Sequence, residues 1–325
     1  THFSSEWSYT DTLSWNLSFP SCSGHHQSPV DLKTSSAIYS PQMGPIEFIA
    51  APGFDPNNVL YNVLNDGHTV VILFDEDQWN AVINPDRDQY EIMQMHFHWG
   101  SDNLRGSEHL FDGRRFPMET HIFSYNKRLY SSRLDALAGP HGMAVFGIMH
   151  TLNDHALETE TQFGKIGHIK EALESVTYAG QSWNIPGFNL TDLLSQVNSS
   201  AYFRYHGSLT TPPCTENVMW TVFTKPVPIK STQLNLLRNL RSSSNTEEML
   251  YDNYRPSQLI NDPHTPLRRS IFRSVPGSAI SKTGDVSITL ASLLMAFASL
   301  TVCSMSTGVT LQALEISTIE DILRA

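Results

Sequence analysis

The chain has 325 residues, 40% hydrophobic and 10% aromatic, with 18 Gly and 18 Pro, a globular composition that excludes the disordered and fibrous classes. Its 32 Asp and Glu outweigh 21 Lys and Arg, for a formal charge of -11, and the basic residues are scattered, so nucleic acid is not an expected partner. Single all-β or mixed domains run to about 250 residues, so one domain with appendages is expected.

In chain order, the start at Thr1 rather than Met predicts that an N-terminal segment such as a signal peptide has been removed. From Ser5 to about Arg269, short apolar runs alternate with Gly, Pro, Asn and Asp, without an internal repeat. Strands are predicted at 70–74, 91–98, 119–123 and 143–149 from apolar or alternating patterns bounded by turn residues. Helical periodicity marks 167–176 and, more weakly, 231–239. The expected fold is mainly β with peripheral short helices. After a globular domain at 1–272, small residues such as Gly277, Ser278 and Ala279 mark a linker at 273–285. An uncharged run follows at 286–314, longer than the roughly 20 residues that span a bilayer, and then a short polar tail at 315–325. Membrane attachment through the C-terminus is therefore expected. A spanning helix and a GPI-type lipid-anchor signal both remain open, because the tail lacks the basic excess of an inner segment and a lipid signal normally ends the chain.

Asn-x-Ser/Thr sequons at Asn16, Asn189 and Asn198 point towards glycosylation and secretion. The cysteines Cys22, Cys214 and Cys303 form no Cys-x-x-Cys motif. Cys22 and Cys214 can pair across the fold, while Cys303 lies inside the apolar run and is expected to be unpaired.

The densest chemical signal is Gln94-Met95-His96-Phe97-His98-Trp99-Gly100. Side chains alternate along a strand, so Gln94, His96 and His98 share one face. Glu119-Thr120-His121 has the same form as Gln94-Met95-His96, with a hydrogen-bonding side chain two residues before a histidine. A metal-bound imidazole offers its second nitrogen to such an acceptor, which fixes its tautomer and direction. A His-x-His in a strand is more often incidental than a metal site, and the paired acceptors Gln94 and Glu119 tip the balance. Three imidazoles leave the fourth tetrahedral position of zinc open for water, the catalytic arrangement.

With these motifs the chain resembles the α-class carbonic anhydrases, from about Trp7 to Phe272. The resemblance is carried by Glu6-Trp7-Ser8-Tyr9, Gln27-Ser28-Pro29-Val30, Gly67-His68, Gln94 to Gly100, Ser107-Glu108-His109, Glu119-Thr120-His121, Tyr205 to Pro213 and Asn253-Tyr254-Arg255-Pro256. It implies a twisted, mostly antiparallel ten-stranded sheet, Zn2+ on His96, His98 and His121, and reversible hydration of carbon dioxide to bicarbonate and a proton. Carbonic anhydrase is itself the reference case for such a site, in which zinc lowers its water's pKa to about 7 and supplies hydroxide at neutral pH. By motif position, Glu108 and Thr210 orient the nucleophile, and His68 exports the proton. Val145, Leu209, Val218 and Trp220 form an apolar wall, and Thr211 lines the polar side. Cys22 and Cys214 stand where extracellular members form a disulfide, and sulfonamide-type and anion inhibitors are expected. Three positions depart from the best-studied members: Phe123 is bulkier and should narrow the cavity, Val71 replaces a polar side chain, and Asp66 stands where Asn is common.

Non-catalytic, partner-binding domains of this type typically lose zinc histidines, and all three remain here. An esterase activity would share the zinc chemistry as a side reaction. A Ser-His-Asp hydrolase lacks its Gly-x-Ser-x-Gly elbow. The extracellular face of the plasma membrane is the expected location.

Overall fold

The structure is a computed structural model and describes residues 7–83, 88–260 and 269–276. Seven strands form the middle of one large sheet: β1 (Leu60–Asn65), β2 (Val70–Leu73), β3 (Asp88–Trp99), β4 (Met118–Asn126), β5 (Met143–Leu152), β6 (Tyr202–Gly207) and β7 (Val218–Ile229). Across the sheet the order is Ser182–Pro186, β1, β2, β3, β4, β5, β7, β6, Phe272–Arg273 and Ile38–Tyr39. Neighbours are antiparallel except β5 with β7 and the short pair at Phe272 and Ile38. The four strands expected from the pattern lie within β2 to β5, with β2 ending at Leu73.

Among the described residues the sheet has 12 strands, where the family resemblance implies ten. The length of β3 explains part of the difference, because its two halves have different partners. Its first half pairs with Trp79–Ile83, Asn80 opposite Glu91, and its second half with β2, Val71 opposite His96. Glu47–Ala50 then adds to Trp79–Ile83.

A bulge at Met93 decides which way β3 faces. Ile92 pairs with Ser124 but Gln94 already pairs with Phe123, so one residue is extra. Such a residue re-aims the side chains after it. Ile92 therefore joins Met95 and Phe97 in the larger core, together with Phe146, Trp79 and Leu173. Gln94, His96 and His98 point to the other face. A smaller core covers that face, with Val145, Val218, Trp220 and Tyr205 among its members.

The predicted helices appear at Ile169–Ser175 and Ser231–Arg238, each burying one apolar stripe: Ile169, Ala172 and Leu173 in the first, Leu234 and Leu237 in the second. The first begins later than the periodicity suggests because His168 takes a left-handed conformation, with φ of 59°, which cannot continue a right-handed helix. The folded body runs through Ser274, whose backbone N–H donates to Tyr202 O at 3.0 Å. Among the described residues no helix is long and apolar enough to cross a membrane. The expected membrane segment at 286–314, the tail at 315–325 and Cys303 lie outside the described residues.

Candidate metal centre

Strand register brings the three histidines together. His96 on β3 sits directly opposite His121 on β4, and His98 sits opposite Glu119. His98 Nε2 lies 3.1 Å from His121 Nδ1, and His121 Nδ1 lies 3.3 Å from His96 Nε2. Each outward nitrogen meets an oxygen. His96 Nδ1 is 2.8 Å from Gln94 Oε1, His98 Nδ1 is 2.7 Å from the backbone O of Asn253, and His121 Nε2 is 2.9 Å from Glu119 Oε1. Because those partners only accept, the outward nitrogens carry the protons and the inward three present lone pairs. Three lone pairs converging at this spacing repel one another unless a cation lies between them. Zinc held at 2.0–2.1 Å in a tetrahedron needs ligand nitrogens about 3.3–3.4 Å apart, so the residues present fit zinc. Burial pushes the His96 imidazole well below its ordinary pKa and His98 below it, with the neighbouring imidazoles adding to the effect at His96. Both are thus neutral, as ligands must be.

Glu119 is fully buried, and its carboxylate makes four hydrogen bonds. Oε2 accepts the backbone N–H groups of Glu108 and His109, both at 2.8 Å, while Oε1 contacts His109 Nδ1 at 2.7 Å and His121 Nε2 at 2.9 Å. Burial alone would raise its pKa, but His109 and His121 hold it well below the ordinary carboxylate range. Gly147, opposite His121 in the register, has to be glycine: a Cβ there would stand 2.9 Å from Glu119 Oε1. From His109 the network continues to Tyr205 Oη at 2.6 Å, then to Ser28 Oγ at 3.0 Å, which accepts the N–H of Ser208 at 3.1 Å. His121 is thereby connected to the loop that carries Leu209, Thr210 and Thr211.

Glu108 is held by one oxygen. Its Oε1 accepts the N–H of Arg255 at 2.8 Å. Its Oε2 is 3.5 Å from His98 Nε2, is buried and has no hydrogen-bond partner. The hydrogen bond from Thr210 implied by the family motif is therefore not made at that oxygen. Thr210 is buried on the same loop, and Cys214, which ends it, is bonded to Cys22 as expected.

The predicted apolar wall is assembled by register. Val145 pairs with Phe123 on one side and Trp220 on the other, and Val218 pairs with Met143. Val145, Val218 and Trp220 are buried, with Leu209 and Phe123 packed against them. The Trp220 ring lies 4.8 Å from His121, and the Phe123 ring lies 6.4 Å from His96. Val71, opposite His96, is also buried. His68 stands apart, in the hairpin turn between β1 and β2. Its ring is half-buried and stacks on Trp7 with centroids 3.8 Å apart. Its backbone N–H donates to Asp66 Oδ1 at 2.8 Å. Burial lowers the pKa of His68 and the Asp66 charge opposes that shift. Asn16, Asn189 and Asn198 are exposed.

Four contributors escaped the sequence reading. Asn253 supplies a backbone oxygen to His98, which no side-chain pattern reveals. His109 and Tyr205 lay inside quoted motifs without a role. Arg255 is buried, bonding Gln27 Oε1 at 2.7 Å and the backbone O of Cys22 at 2.8 Å.

A mainly β fold with three converging imidazoles that could hold a metal is the class that sheet and site define. The sequence profile described as eukaryotic-type carbonic anhydrase matches residues 10–265, and the chain belongs to that family. Similar proteins include the human carbonic anhydrase-related protein, 34% identical over 272 residues that cover 79% of this chain and 88% of that one. Bovine carbonic anhydrase 6 is 35% identical over 79% of this chain and 78% of its own. Human carbonic anhydrase 12 is 34% identical over 79% of this chain and 69% of its own.

Proposed function

We propose that this protein is a zinc enzyme that reversibly hydrates carbon dioxide to bicarbonate and a proton at the extracellular face of the plasma membrane. The observation that carries the reading is the convergence of three imidazole lone pairs whose outward N–H groups are all committed to acceptors. When bound, zinc supplies a Lewis acid that acidifies water at its open fourth position. Glu108, anchored by Arg255, keeps Oε2 as a free acceptor for the Thr210 hydroxyl. Thr210 then has its oxygen lone pair to accept the reacting water's hydrogen, which orients the nucleophile. Carbon dioxide is uncharged, so Val145, Leu209, Val218 and Trp220 suit it as a wall, with Phe123 narrowing the space and Thr211 on the polar side. His68 takes the released proton to solvent.

The Cys22–Cys214 disulfide supports an oxidising compartment, and exposed Asn16, Asn189 and Asn198 are accessible to glycosylation. Anchoring through 286–314, by lipid or spanning helix, completes the proposal. The test is zinc content together with stopped-flow carbon dioxide hydration. One zinc per chain and fast hydration are expected, and His98→Ala should lose most of both. Stoichiometric zinc without hydration would instead favour an extracellular binding domain with weak or no catalysis.

A further inference from the structure

Asn253 is 0% exposed, and each of its side-chain polar atoms is committed. Its Oδ1 accepts the N–H of Trp99 at 2.8 Å. Its Nδ2 donates to the backbone O of His68 at 2.9 Å and to the backbone O of Phe97 at 3.2 Å. Its own backbone O takes the Nδ1–H of His98 at 2.7 Å. One residue therefore grips ligand His98 through its main chain, both neighbours of that ligand through its amide, and the hairpin turn that carries His68. The two Nδ2 protons lie in one plane at a fixed angle, so the amide fixes the His68 carbonyl relative to that of Phe97 on β3. Thr69, next to His68, also ties the turn to β3, its hydroxyl donating to Phe97 O and accepting the N–H of Phe97 at 3.2 Å, but it leaves the His68 carbonyl untouched.

We propose that Asn253 is a positioning residue for proton export: its side-chain amide fixes the backbone of His68 relative to the metal ligand His98. The proposal rests on the reading of His68 as the proton carrier. The chemical step depends on the imidazoles, Glu108 and Thr210, none of which the Asn253 side chain touches. Proton export depends on where His68 stands.

The experiment compares Asn253→Ala, the milder Asn253→Ser, His68→Ala and the Asn253→Ala/His68→Ala double variant as zinc-loaded enzymes. Hydration is measured in dilute and in imidazole-containing buffer, beside zinc content and thermal melting. Asn253→Ala should lower kcat in dilute buffer about 10-fold, within what a 1 Å misplacement of a catalytic group costs, and kcat/KM far less. Imidazole should restore kcat, and the double variant should be no slower than His68→Ala alone. Equal losses of kcat and kcat/KM in both Asn253 variants would overturn the proposal in favour of a structural role. Unchanged kcat in folded Asn253→Ala or Asn253→Ser, with a slow His68→Ala, would overturn it while leaving the carrier reading intact. A His68→Ala enzyme with undiminished kcat would overturn the carrier reading, and the proposal with it.

Discussion

The three converging imidazoles and the imidazole of His68 are held in opposite ways. His96, His98 and His121 lie on strands paired on both sides, and each has its outward nitrogen on a defined oxygen. His68 sits on a turn, its ring against Trp7 and near Tyr9, with its backbone tied to Asp66 and Asn253. On the proposed function, metal ligands must stay neutral and fixed, whereas His68 as proton carrier must change charge in every cycle. Rigid pairing suits the first task, and a partly covered turn suits the second.

The largest effect that would sharpen this contrast is at Glu119. Glu119→Gln places an amide NH2 where the carboxylate now accepts donors from Glu108, His109 and His121. Zinc affinity should fall about 10- to 100-fold, as for other groups that orient a ligand. Chelator competition reads this directly, and an unchanged zinc off-rate would show that the wiring is dispensable.

On the His68 side the effects are smaller and appear as pH shifts. Accepting a proton requires neutral His68, so kcat for hydration should fall as pH drops through its pKa. Burial holds that pKa below the ordinary 6.5, and the kcat profile should therefore inflect below 6.5. Trp7→Ala uncovers the ring and should move the inflection up towards 6.5. Asp66→Asn removes a charge that favours the imidazolium and should move it slightly down. If both variants leave the profile in place, another group carries the proton.

Much of the imidazole cluster was legible because strand alternation is local: Gln94, His96 and His98 share a face by simple counting. What local counting could not supply was the bulge at Met93, without which Ile92 would share that face as well. Nor could it find Asn253, which serves His98 by a main-chain oxygen from a distant segment. The pairing of Val145 with both Phe123 and Trp220 follows from long-range register. The expected ten strands came from the family resemblance and not from local counting, which also missed Glu47–Ala50 and Trp79–Ile83, since these belong to the sheet through partners outside their own sequence windows.

The bridge between Cys22 and Cys214 spans a sequence separation of 192 residues and turns that stretch into a closed covalent ring. His68, the three metal-facing histidines, Glu108, Glu119 and Thr210 all lie on it. A protease cut anywhere on the ring, for instance at the exposed turn of Asn153, Asp154 and His155, divides the polypeptide but leaves the two pieces joined through the disulfide. Molecules clipped there would gain only one water in mass and keep every group of the site until a reductant released the two pieces.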